Sequence, residues 1–576
     1  MRTLVVRQGY WTDFTLSDDV DEYPYVKGGI SFTREYLHIK ATVKDTHFRD
    51  GDRSWRYGDG FLINFITEAY PDARPSPRFY AYGFSVIAGE ERSALVCHDG
   101  TYYLRNVEPA PEIEVDEAKQ LALYDVKVPW ANLMPFHPLI DELLGINIRY
   151  TSQGDDGSMT RLHLVADDEF DSELVVEKNY MPVHLRLSDR SRFQFAFGME
   201  SNLVESGQAP VWLKAYSERP RDSSLSMRVR DEGEIVDEKV KEIHLEKGVN
   251  VIEDHISTPN RTALYHVELT MDDLRRDHEF LRLSSRELPG VEEYVREYAR
   301  TAETPIEVSS LHGLTYKTNE LKASIGSFEP RDRVTPLKEK LDELNALIRR
   351  SRAKGHIYGD GYIRTAFRSP DDGTLQPYSI ECPTNFDPGR EYRVLLALHG
   401  SGVDEVGFIK GISRAGEMLW DGYLLVAPRG RGLSDWYVGQ TERDVLEILS
   451  IVETIFKVSE TVIFGFSMGG YGVWRLTFLH PDRFDAAIIG SGSPLSPKRE
   501  ESGMDVRSLR HGAEHIPYLV MHGTEDRAVA FEPVREFVDL LDEEGFDVTF
   551  KVFDTSGHGN YDPSTTLAEW MSAKIG

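Results

Sequence analysis

Cysteine and long apolar runs are almost missing from this chain. Its 576 residues include only two cysteines, Cys97 and Cys382, and their wide separation argues against a disulfide framework, so we expect two buried free thiols. No apolar run approaches the roughly 18 residues of a spanning helix, and the N-terminus carries no apolar signal-peptide core. We therefore expect a soluble chain, either cytoplasmic or secreted after removal of a signal peptide.

Positive charge is also scarce. Lys and Arg number 66 against 96 Asp and Glu, which gives a net charge of −30. Nucleic acids and anionic membranes would be repelled by such a surface, so neither is an expected partner. One short cluster suggests a cation loop, Asp155 and Asp156 between two glycines, but it lacks the ligand spacing of a calcium loop. No metal and no cofactor is predicted.

Length and composition indicate several ordinary globular domains. Hydrophobic residues make up 40% of the chain, and a prior of roughly 100 to 200 residues per domain predicts three or four domains. Residues 1–187 alternate short β-type runs with turn clusters, which predicts a β-sandwich. Residues 188–286 repeat this pattern at the size of an immunoglobulin-like β-sandwich. This second sandwich is interpreted as a spacer or an oligomerisation module, which leaves a homo-oligomer open.

The sequence period changes in the second half of the chain. Residues 287–355 place apolar side chains at helical spacing, as at Leu337, Leu341 and Leu344, and predict a linker of two helices joined by a loop. From residue 356 to residue 576, short continuous apolar runs alternate with amphipathic stretches. Continuous apolar strands are typical of a sheet buried on both faces, so this region is predicted to be a doubly wound, mostly parallel α/β domain.

The most informative stretch lies in that last domain. An apolar, β-branched run breaks into Gly465-Phe466-Ser467-Met468-Gly469 and then into a helix-like segment. A serine on a sharp strand-to-helix turn needs small neighbours, and the two glycines satisfy this requirement. The sequence therefore predicts a nucleophile elbow with Ser467 as the nucleophile. For the pentapeptide taken alone, an incidental serine at a glycine-rich strand exit is the alternative.

Two further residues fit a catalytic triad with Ser467. Asp526 follows the apolar run 518–521 and His558 follows the run 548–553, so both lie at the expected carboxyl ends of strands. The order serine, acid, histidine is typical of this kind of fold, and the carboxyl ends of neighbouring parallel strands open on one crevice. Asp526 is thus predicted to orient the imidazole of His558, which acts as the general base.

An oxyanion hole is predicted from two backbone N–H groups. One belongs to Met468, directly after the nucleophile, and the other to Ser401 in the loop 398–402, with Gly402 as the alternative. His399 is interpreted as a structural brace for this loop rather than as a second base, because it ends a strand instead of lying beyond it.

Two aromatic residues of the same domain are candidates for substrate binding. Trp436 and Tyr437 lie in the loop that follows the apolar run 423–427. They are predicted to line the pocket for the acyl group or for a sugar. An exposed aromatic loop with no contact to substrate is the alternative.

Five segments of the last domain form one recognisable set. They are residues 398–402, 465–474, 480–484, 522–526 and 557–559. Together they resemble serine α/β-hydrolases of the esterase, carboxylesterase and feruloyl-esterase type, over about the last 200 residues. The resemblance implies an α/β-hydrolase fold. It also implies hydrolysis of a small-molecule or saccharide ester, such as an acetyl or feruloyl ester, through an acyl-enzyme.

Two alternative functions remain at this point. Residues 427–432, with the sequence Ala-Pro-Arg-Gly-Arg-Gly, also resemble the catalytic domain of prolyl oligopeptidase-like enzymes, which would make the protein a serine peptidase. The preceding region shows no repeat of propeller-blade length, which counts against the large oligopeptidases. The other alternative is a carbohydrate-binding or scaffold protein whose hydrolase domain is a relic.

Several short segments in the first third of the chain form a second set. They are residues 37–45, Trp55, 58–60, 128–130 and 145–148. They resemble family 9 carbohydrate-binding modules, which implies a sandwich that binds sugar between aromatic rings. The candidate rings are Trp11, Trp55 and Trp130. Trp130 follows a proline at a strand end and is interpreted as a packing residue.

Overall fold

The computed structural model describes most of the chain. The described residues are 3–16, 23–33, 35–46, 48, 59–67, 78–87, 90–98, 101–106, 109–133, 136, 138, 143–153, 159–165, 180–186, 194–199, 201–328, 334–415, 422–432, 436–495, 506–559 and 561–575. The chain divides into two compact units, Met1–Ser285 with Phe328–Lys338 and Arg286–Ser327 with Glu339–Gly576. The finer division at residues 187, 286 and 355 stays a prediction.

The N-terminal part of the first unit contains two sheets that share one apolar core. Its strands are β1 (Leu4–Arg7), β2 (Thr12–Thr15), β3 (Tyr25–Phe32), β4 (Tyr36–Lys44), β5 (Gly60–Thr67), β6 (Arg78–Ile87), β7 (Glu90–His98), β8 (Thr101–Asn106), β9 (Glu112–Asp116), β10 (Leu121–Pro129), β11 (Leu143–Gln153), β12 (Met159–His163) and β13 (Met181–Arg186). One sheet runs β1-β13-β11-β5-β6-β7-β8, with β12 paired to β11, and the other runs β2-β3-β4-β10-β9. Val26, Ile39, Phe61 and Ile148, drawn from both sheets, belong to a single buried cluster. This arrangement is consistent with the predicted β-sandwich.

The rest of the first unit contains a second pair of sheets. Its strands are β14 (Gln194–Met199), β15 (Leu203–Val204), β16 (Gln208–Ser217), β17 (Arg221–Asp231), β18 (Glu234–Leu245), β19 (Gly248–Ser257), β20 (Ala263–Met271) and β21 (Leu274–Arg282). One sheet runs β14-β16-β19 and the other runs β15-β21-β20-β17-β18. Phe195, Leu213, Met227 and Val267 belong to one buried cluster that both sheets supply. These strands are consistent with a second sandwich.

Three helices follow the strands. They are α1 (Glu287–Tyr298), α2 (Pro305–Gly326) and α3 (Thr335–Lys354), so the prediction of two helices was wrong. The middle helix escaped the sequence pattern because Ser309, Ser310 and Lys317 are among its buried residues, and no apolar stripe marks it. Its start is nevertheless encoded locally, since the N–H of Thr304 donates to the carboxylate of Glu307 in a capping box (2.9 Å).

The second unit is organised around one long sheet. Its strands are β22 (Gly361–Arg368), β23 (Leu375–Cys382), β24 (Glu391–Leu398), β25 (Tyr423–Pro428), β26 (Lys457–Phe466), β27 (Ala486–Gly490), β28 (Tyr518–Gly523) and β29 (Val548–Phe553). They lie in the order β22-β23-β25-β24-β26-β27-β28-β29. The pairs β22–β23 and β23–β25 are antiparallel and the other pairs are parallel. The sheet is mostly parallel, as its continuous apolar runs predicted.

Helices cover both faces of this sheet. They are α4 (Glu405–Ala415), α5 (Gln440–Ile455), α6 (Met468–Leu479), α7 (Phe531–Glu543) and α8 (Ser564–Lys574). Leu519 of β28 belongs to a buried cluster with Ile409 of α4 and Trp570 of α8. Its neighbour Tyr518 instead stacks on Trp474 of α6, with ring centroids 5.4 Å apart. Because successive strand residues point to opposite faces, the helices lie in two layers, which is the doubly wound arrangement.

Three further features of the described residues bear on the chemistry of the protein. The thiol of Cys382 is free and buried in β23, and burial raises its pKa to about 12, whereas the side chain of Cys97 lies outside the described residues. None of the described helices is long and apolar enough to cross a membrane. The described His, Cys, Asp and Glu side chains form no group of three that could hold a metal ion.

Candidate active site

Ser467 lies at a sharp turn between a strand and a helix. β26 ends at Phe466 and α6 begins at Met468, so Ser467 alone makes the turn. Its backbone has φ 55° and ψ −116°, a strained combination for a residue with a side chain. The surroundings hold this strain, because the Ser467 N–H donates to the carbonyl of Gly490 (2.8 Å). The geometry is that of a nucleophile elbow.

The two glycines beside Ser467 leave no room for a side chain. A Cβ atom on Gly465 would lie 2.2 Å from the carbonyl oxygen of Gly469. A Cβ atom on Gly469 would lie 1.9 Å from the carbonyl oxygen of Leu398. Both obstacles are backbone atoms that cannot swing aside. The requirement for small residues is therefore one of close backbone approach, with the start of α6 packed directly against the end of β24.

Asp526 and His558 meet in the loops that follow β28 and β29. The Nδ1 atom of His558 lies 2.8 Å from Oδ2 of Asp526. The other carboxylate oxygen accepts the N–H groups of Ala528 (2.9 Å) and Val529 (2.8 Å). Burial by itself raises the pKa of Asp526, but the hydrogen bonds from His558 and Val529 outweigh it and the pKa is lowered. Asp526 therefore stays ionised, and its bond to Nδ1 fixes the orientation of the imidazole.

The loop that carries His558 packs against Phe466, the residue before Ser467. The rings of His558 and Phe466 lie 5.0 Å apart. A Cβ atom on Gly559 would lie 2.6 Å from Cζ of Phe466. These contacts bring the Asp526–His558 pair next to Ser467. Between the described atoms of Ser467 and His558 no hydrogen bond is formed, and such catalytic bonds often tighten only when substrate is bound.

His522 is a buried neighbour of the acid that sequence reasoning missed. Its Nε2 atom lies 2.9 Å from the carbonyl oxygen of Val529 and 3.4 Å from Oδ2 of Asp526. Burial lowers the pKa of His522, so the ring is neutral and donates to the carbonyl. The signal was available, because His522 lies only four residues before Asp526 at the end of β28. Its role is to support the loop that presents the acid.

The predicted oxyanion donors belong to two segments that adjoin Ser467. Met468 is the first residue of α6, where backbone N–H groups have no partner within the helix and point toward developing negative charge. On the other side, the hypothetical Cβ atom of Gly400 would lie 3.5 Å from Cβ of Ser467. Ser401 and Gly402 follow and are exposed. We call residues 399–402 the oxyanion loop.

His399 is the first residue of the oxyanion loop, and its side chain is buried. It has no exposed surface. Its Nδ1 atom lies 3.0 Å from the carbonyl oxygen of Gly400, and its Nε2 atom lies 2.9 Å from that of Arg429. This is the position of a brace, as the sequence interpretation held.

Trp436 and Tyr437 occupy different environments although they are neighbours. Trp436 is partly buried, and its ring lies edge-on to that of Tyr471, with centroids 5.8 Å apart. Tyr437 is only 1% exposed, and its hydroxyl donates to the carbonyl oxygen of His399 (3.1 Å). The prediction that Tyr437 lines a substrate pocket does not fit this position, because its ring and its hydroxyl are both engaged inside the protein.

The three tryptophans singled out in the first unit also differ. Trp130 is 2% exposed and its indole N–H donates to the carbonyl of Thr33 (3.0 Å), so it is a packing residue. Trp11 is 45% exposed. Trp55 lies outside the described residues, as do residues 154–157 that suggested a cation loop.

Comparisons with known proteins match part of the chain. Residues 492–575, which include Asp526 and His558, match the prolyl oligopeptidase family. A probable dipeptidyl-aminopeptidase B from Ajellomyces capsulatus (strain H88) is 26% identical over 246 residues, which cover 35% of this chain and 26% of the relative. A probable carboxylesterase from Oryza sativa subsp. japonica is 27% identical over 149 residues, which cover 24% of this chain and 61% of the relative. The chain thus spans about a quarter of the length of the peptidase relative.

A solved structure is also similar to part of this chain. The fluorophosphonate-binding serine hydrolase F of Staphylococcus aureus shares 19% identity with this chain, covers 38% of it and 100% of its own length, and gives a TM-score of 0.33. The strand order, the serine elbow and the Asp526–His558 pair of the second unit are themselves those of a serine hydrolase with the α/β-hydrolase fold.

Proposed function

We propose that the protein is an esterase that hydrolyses carboxylic esters through an acyl-enzyme on Ser467. The observation that carries this proposal is the 2.8 Å hydrogen bond between Asp526 and His558 beside a serine held at φ 55° at a helix N-terminus. A strained serine, an oriented imidazole and a buried carboxylate form the arrangement that activates a hydroxyl nucleophile. No cofactor is part of the proposal.

The first half-reaction forms the acyl-enzyme. Because Nδ1 of His558 donates its hydrogen to Asp526, Nε2 carries the lone pair that accepts a proton. This nitrogen takes the proton of Ser467 while Oγ bonds to the ester carbonyl carbon. The N–H groups of Met468 and Ser401 receive the negative charge that develops on the carbonyl oxygen. The imidazolium then gives the proton to the departing alcohol, and the bond between the acyl carbon and the alcohol oxygen breaks.

The second half-reaction releases the acid. Water gives a proton to Nε2 of His558 as its oxygen bonds to the acyl carbon, and the same two N–H groups bind the second oxyanion. The tetrahedral intermediate then expels Oγ of Ser467, which takes the proton back from the imidazolium. Asp526 remains ionised throughout and stabilises the transient positive charge of the ring. Ester plus water gives acid plus alcohol, and the enzyme returns to its starting state.

The architecture of the first unit favours an ester over a peptide as the substrate. The described strands of the first unit form sheets of eight, five, three and five strands, rather than the repeated four-stranded blades of a propeller. The match to a probable carboxylesterase also supports the proposal. A serine peptidase is the second candidate, which the prolyl oligopeptidase match over residues 492–575 favours.

Active-site labelling and paired substrates test this proposal. A fluorophosphonate should label wild-type protein at Ser467 and should not label Ser467→Ala, because the probe reacts only with an activated serine. Wild-type protein should turn over p-nitrophenyl acetate faster than a prolyl p-nitroanilide, and acetylated and feruloylated oligosaccharides then identify the acyl group. Faster cleavage of the anilide would make the protein a peptidase. Folded wild-type protein that takes no label would make the hydrolase domain a relic.

The first unit contains a surface that suits a saccharide, and we propose that it binds the carbohydrate part of the substrate. A cavity of about 740 Å³ runs along strands β2, β3, β4, β9 and β10. Trp11 lies across Gly29, whose Cβ atom would be 3.0 Å from the indole. Its ring also lies 4.8 Å from that of His38, and 45% of Trp11 is exposed. Lys40 and Asp125 border the cavity as an ion pair (2.8 Å). An indole face stacks on a sugar ring, and the charged groups offer partners to hydroxyls.

Retardation in polysaccharide gels tests the saccharide surface. Wild-type protein should be slowed in a gel that contains xylan, cellulose or starch, and Trp11→Ala should migrate freely because the stacking face is gone. Trp212→Ala is the matched control, since Trp212 also lies over a glycine, Gly198, but on β16, away from the cavity. Wild-type mobility that is unchanged by all three polysaccharides would contradict the proposal.

A further inference from the structure

Tyr437 is joined to the oxyanion loop by a hydrogen bond that the catalytic steps above do not use. Its hydroxyl donates to the carbonyl oxygen of His399 at 3.1 Å. Its ring fills the space beside two glycines, so that a Cβ atom on Gly472 would lie 2.7 Å from the ring and one on Gly430 would lie 3.2 Å from it. Burial raises the pKa of Tyr437 well above its ordinary value, so the hydroxyl keeps its hydrogen and remains a donor.

The backbone is strained at the point that turns Tyr437 inward. Trp436 has φ 57° and Tyr437 has φ 51°, two consecutive aromatic residues in the left-handed region. Residues with a large side chain avoid this region, and they persist there only where tertiary contacts hold them. The contacts that hold Tyr437 are its packing against Gly472 and its bond to His399. The strained backbone at Trp436 and Tyr437 therefore places the Tyr437 hydroxyl against the oxyanion loop.

The peptide groups around Gly400 show what this hydroxyl controls. In a planar trans peptide the C=O and the following N–H point in opposite directions, so a bond to one fixes the direction of the other. Tyr437 fixes the carbonyl of His399 (3.1 Å), and the His399 ring faces the carbonyl of Gly400 (3.0 Å). The peptide group that contains this second carbonyl also contains the N–H of Ser401. Tyr437 thus anchors the first of two successive peptides, and the second presents the predicted oxyanion donor.

We propose that Tyr437 is a positioning residue for the oxyanion hole, acting through the His399 carbonyl on the peptide that presents the Ser401 N–H. The proposal rests on the proposed acyl-enzyme function of Ser467. Oxyanion donors contribute to catalysis only when they are aligned before negative charge develops, and a small displacement weakens them in the transition state more than in the bound substrate. Loss of the Tyr437 hydroxyl should therefore slow the chemical step and leave substrate binding nearly unchanged.

The substitution Tyr437→Phe tests this role, with Tyr378→Phe as the matched control. Tyr378 is a fully buried tyrosine of the same unit whose hydroxyl bonds to that of Tyr358 (3.3 Å), so its loss removes a comparable buried hydrogen bond. With p-nitrophenyl acetate, Tyr437→Phe should lower kcat about tenfold with KM within twofold of wild type. A boronic acid that mimics the tetrahedral intermediate should bind it about tenfold more weakly. Tyr378→Phe should match wild type in kcat and in boronic acid affinity.

The readouts separate a positioning role from a structural one. Wild-type kcat in Tyr437→Phe would overturn the proposal. A loss of activity with unchanged boronic acid affinity would also overturn it, since a merely destabilised protein contains fewer active molecules of normal affinity. Failure of the proposed function shows itself differently, as wild-type protein that neither takes a fluorophosphonate label nor hydrolyses the ester.

Discussion

Each of the two units contains a histidine hydrogen-bonded to an aspartate. In the first unit, Nε2 of His38 lies 2.5 Å from Oδ1 of Asp125. In the second, Nδ1 of His558 lies 2.8 Å from Oδ2 of Asp526. By residue type and distance alone the two pairs are equivalent. Their surroundings distinguish the pair that we propose to be catalytic from the other one.

The surroundings differ in what else the carboxylate binds. Asp125 projects from β10 and also pairs with Lys40 (2.8 Å), so its charge is neutralised by a side chain on the neighbouring strand. Asp526 is buried, accepts two backbone N–H groups and directs its remaining oxygen to the imidazole. Its loop also lies at the edge of a parallel sheet where the strained Ser467 ends another strand. A His–Asp pair becomes a catalytic element when the backbone orients it toward a nucleophile.

Removal of each histidine in turn tests this contrast most directly. His558→Ala should lower kcat/KM for p-nitrophenyl acetate by about 10⁴-fold or more, because the serine then has no base. His38→Ala should leave kcat/KM for this sugar-free ester within twofold of wild type, since its imidazole contacts Asp125 and the rings of Trp11 and Tyr36 on a sheet of the first unit. Steady-state kinetics on the two purified variants measure both effects. Equal losses in the two variants would show that the surroundings do not distinguish the pairs.

Glycines in the two units provide a second contrast. Gly469→Ala should destabilise the second unit by about 3 kcal/mol or more and abolish esterase activity, because the new Cβ would lie 1.9 Å from a backbone oxygen of Leu398. In Gly29→Ala the new Cβ would lie 3.0 Å from the half-exposed indole of Trp11. Because this indole can move aside, the substitution should lower the free energy of unfolding by less than about 1 kcal/mol. Urea unfolding followed by circular dichroism measures both. A Gly469→Ala protein of wild-type stability would contradict the packing at the elbow.

The smallest expected effect concerns the dependence of stability on pH. Burial raises the pKa of Asp125, but its hydrogen bonds to Lys40 and His38 outweigh this and the pKa is lowered in the folded state. The resulting stabilisation is complete above the ordinary pKa of about 3.9 and is lost as the pH falls through the lowered pKa. Asp125→Asn should therefore be less stable than wild type by about 1–2 kcal/mol at pH 7.

Unfolding curves at several pH values check this expectation. The difference between Asp125→Asn and wild type should shrink steadily below about pH 4, where the wild-type carboxylate also loses its charge. A difference that stays constant down to pH 2 would mean that packing, rather than the charged hydrogen bonds, gives Asp125 its contribution.

The main architecture was accessible from the sequence because it depends on local signals. Continuous apolar runs predicted the parallel sheet, and the Gly465–Gly469 pentapeptide predicted the elbow. The placement of Asp526 and His558 after apolar runs predicted that they would meet, since strand ends share one edge of a sheet. The structure brings these two together, and their catalytic roles remain proposals.

Features that depend on tertiary contacts could not be predicted in this way. The helix α2 buries serines and a lysine, and a hydrophobic pattern cannot detect a face of that kind. Tyr437 was predicted from the sequence to line a substrate pocket, with an exposed loop as the alternative, and its left-handed backbone instead accompanies a fully engaged, buried side chain. The link from Tyr437 to His399 spans 38 residues of sequence, and no local signal announces such a bond.

The buried thiol of Cys382 offers a natural probe for transient opening of the sheet in the second unit. With a pKa of about 12, the thiolate at neutral pH amounts to on the order of one part in 10⁵, and the side chain is also shielded by the sheet. Iodoacetamide or a maleimide should therefore react with it only when β23 detaches. The rate of alkylation at this one position then measures how often the sheet opens, with no engineered label and no interference from reagents directed at the serine.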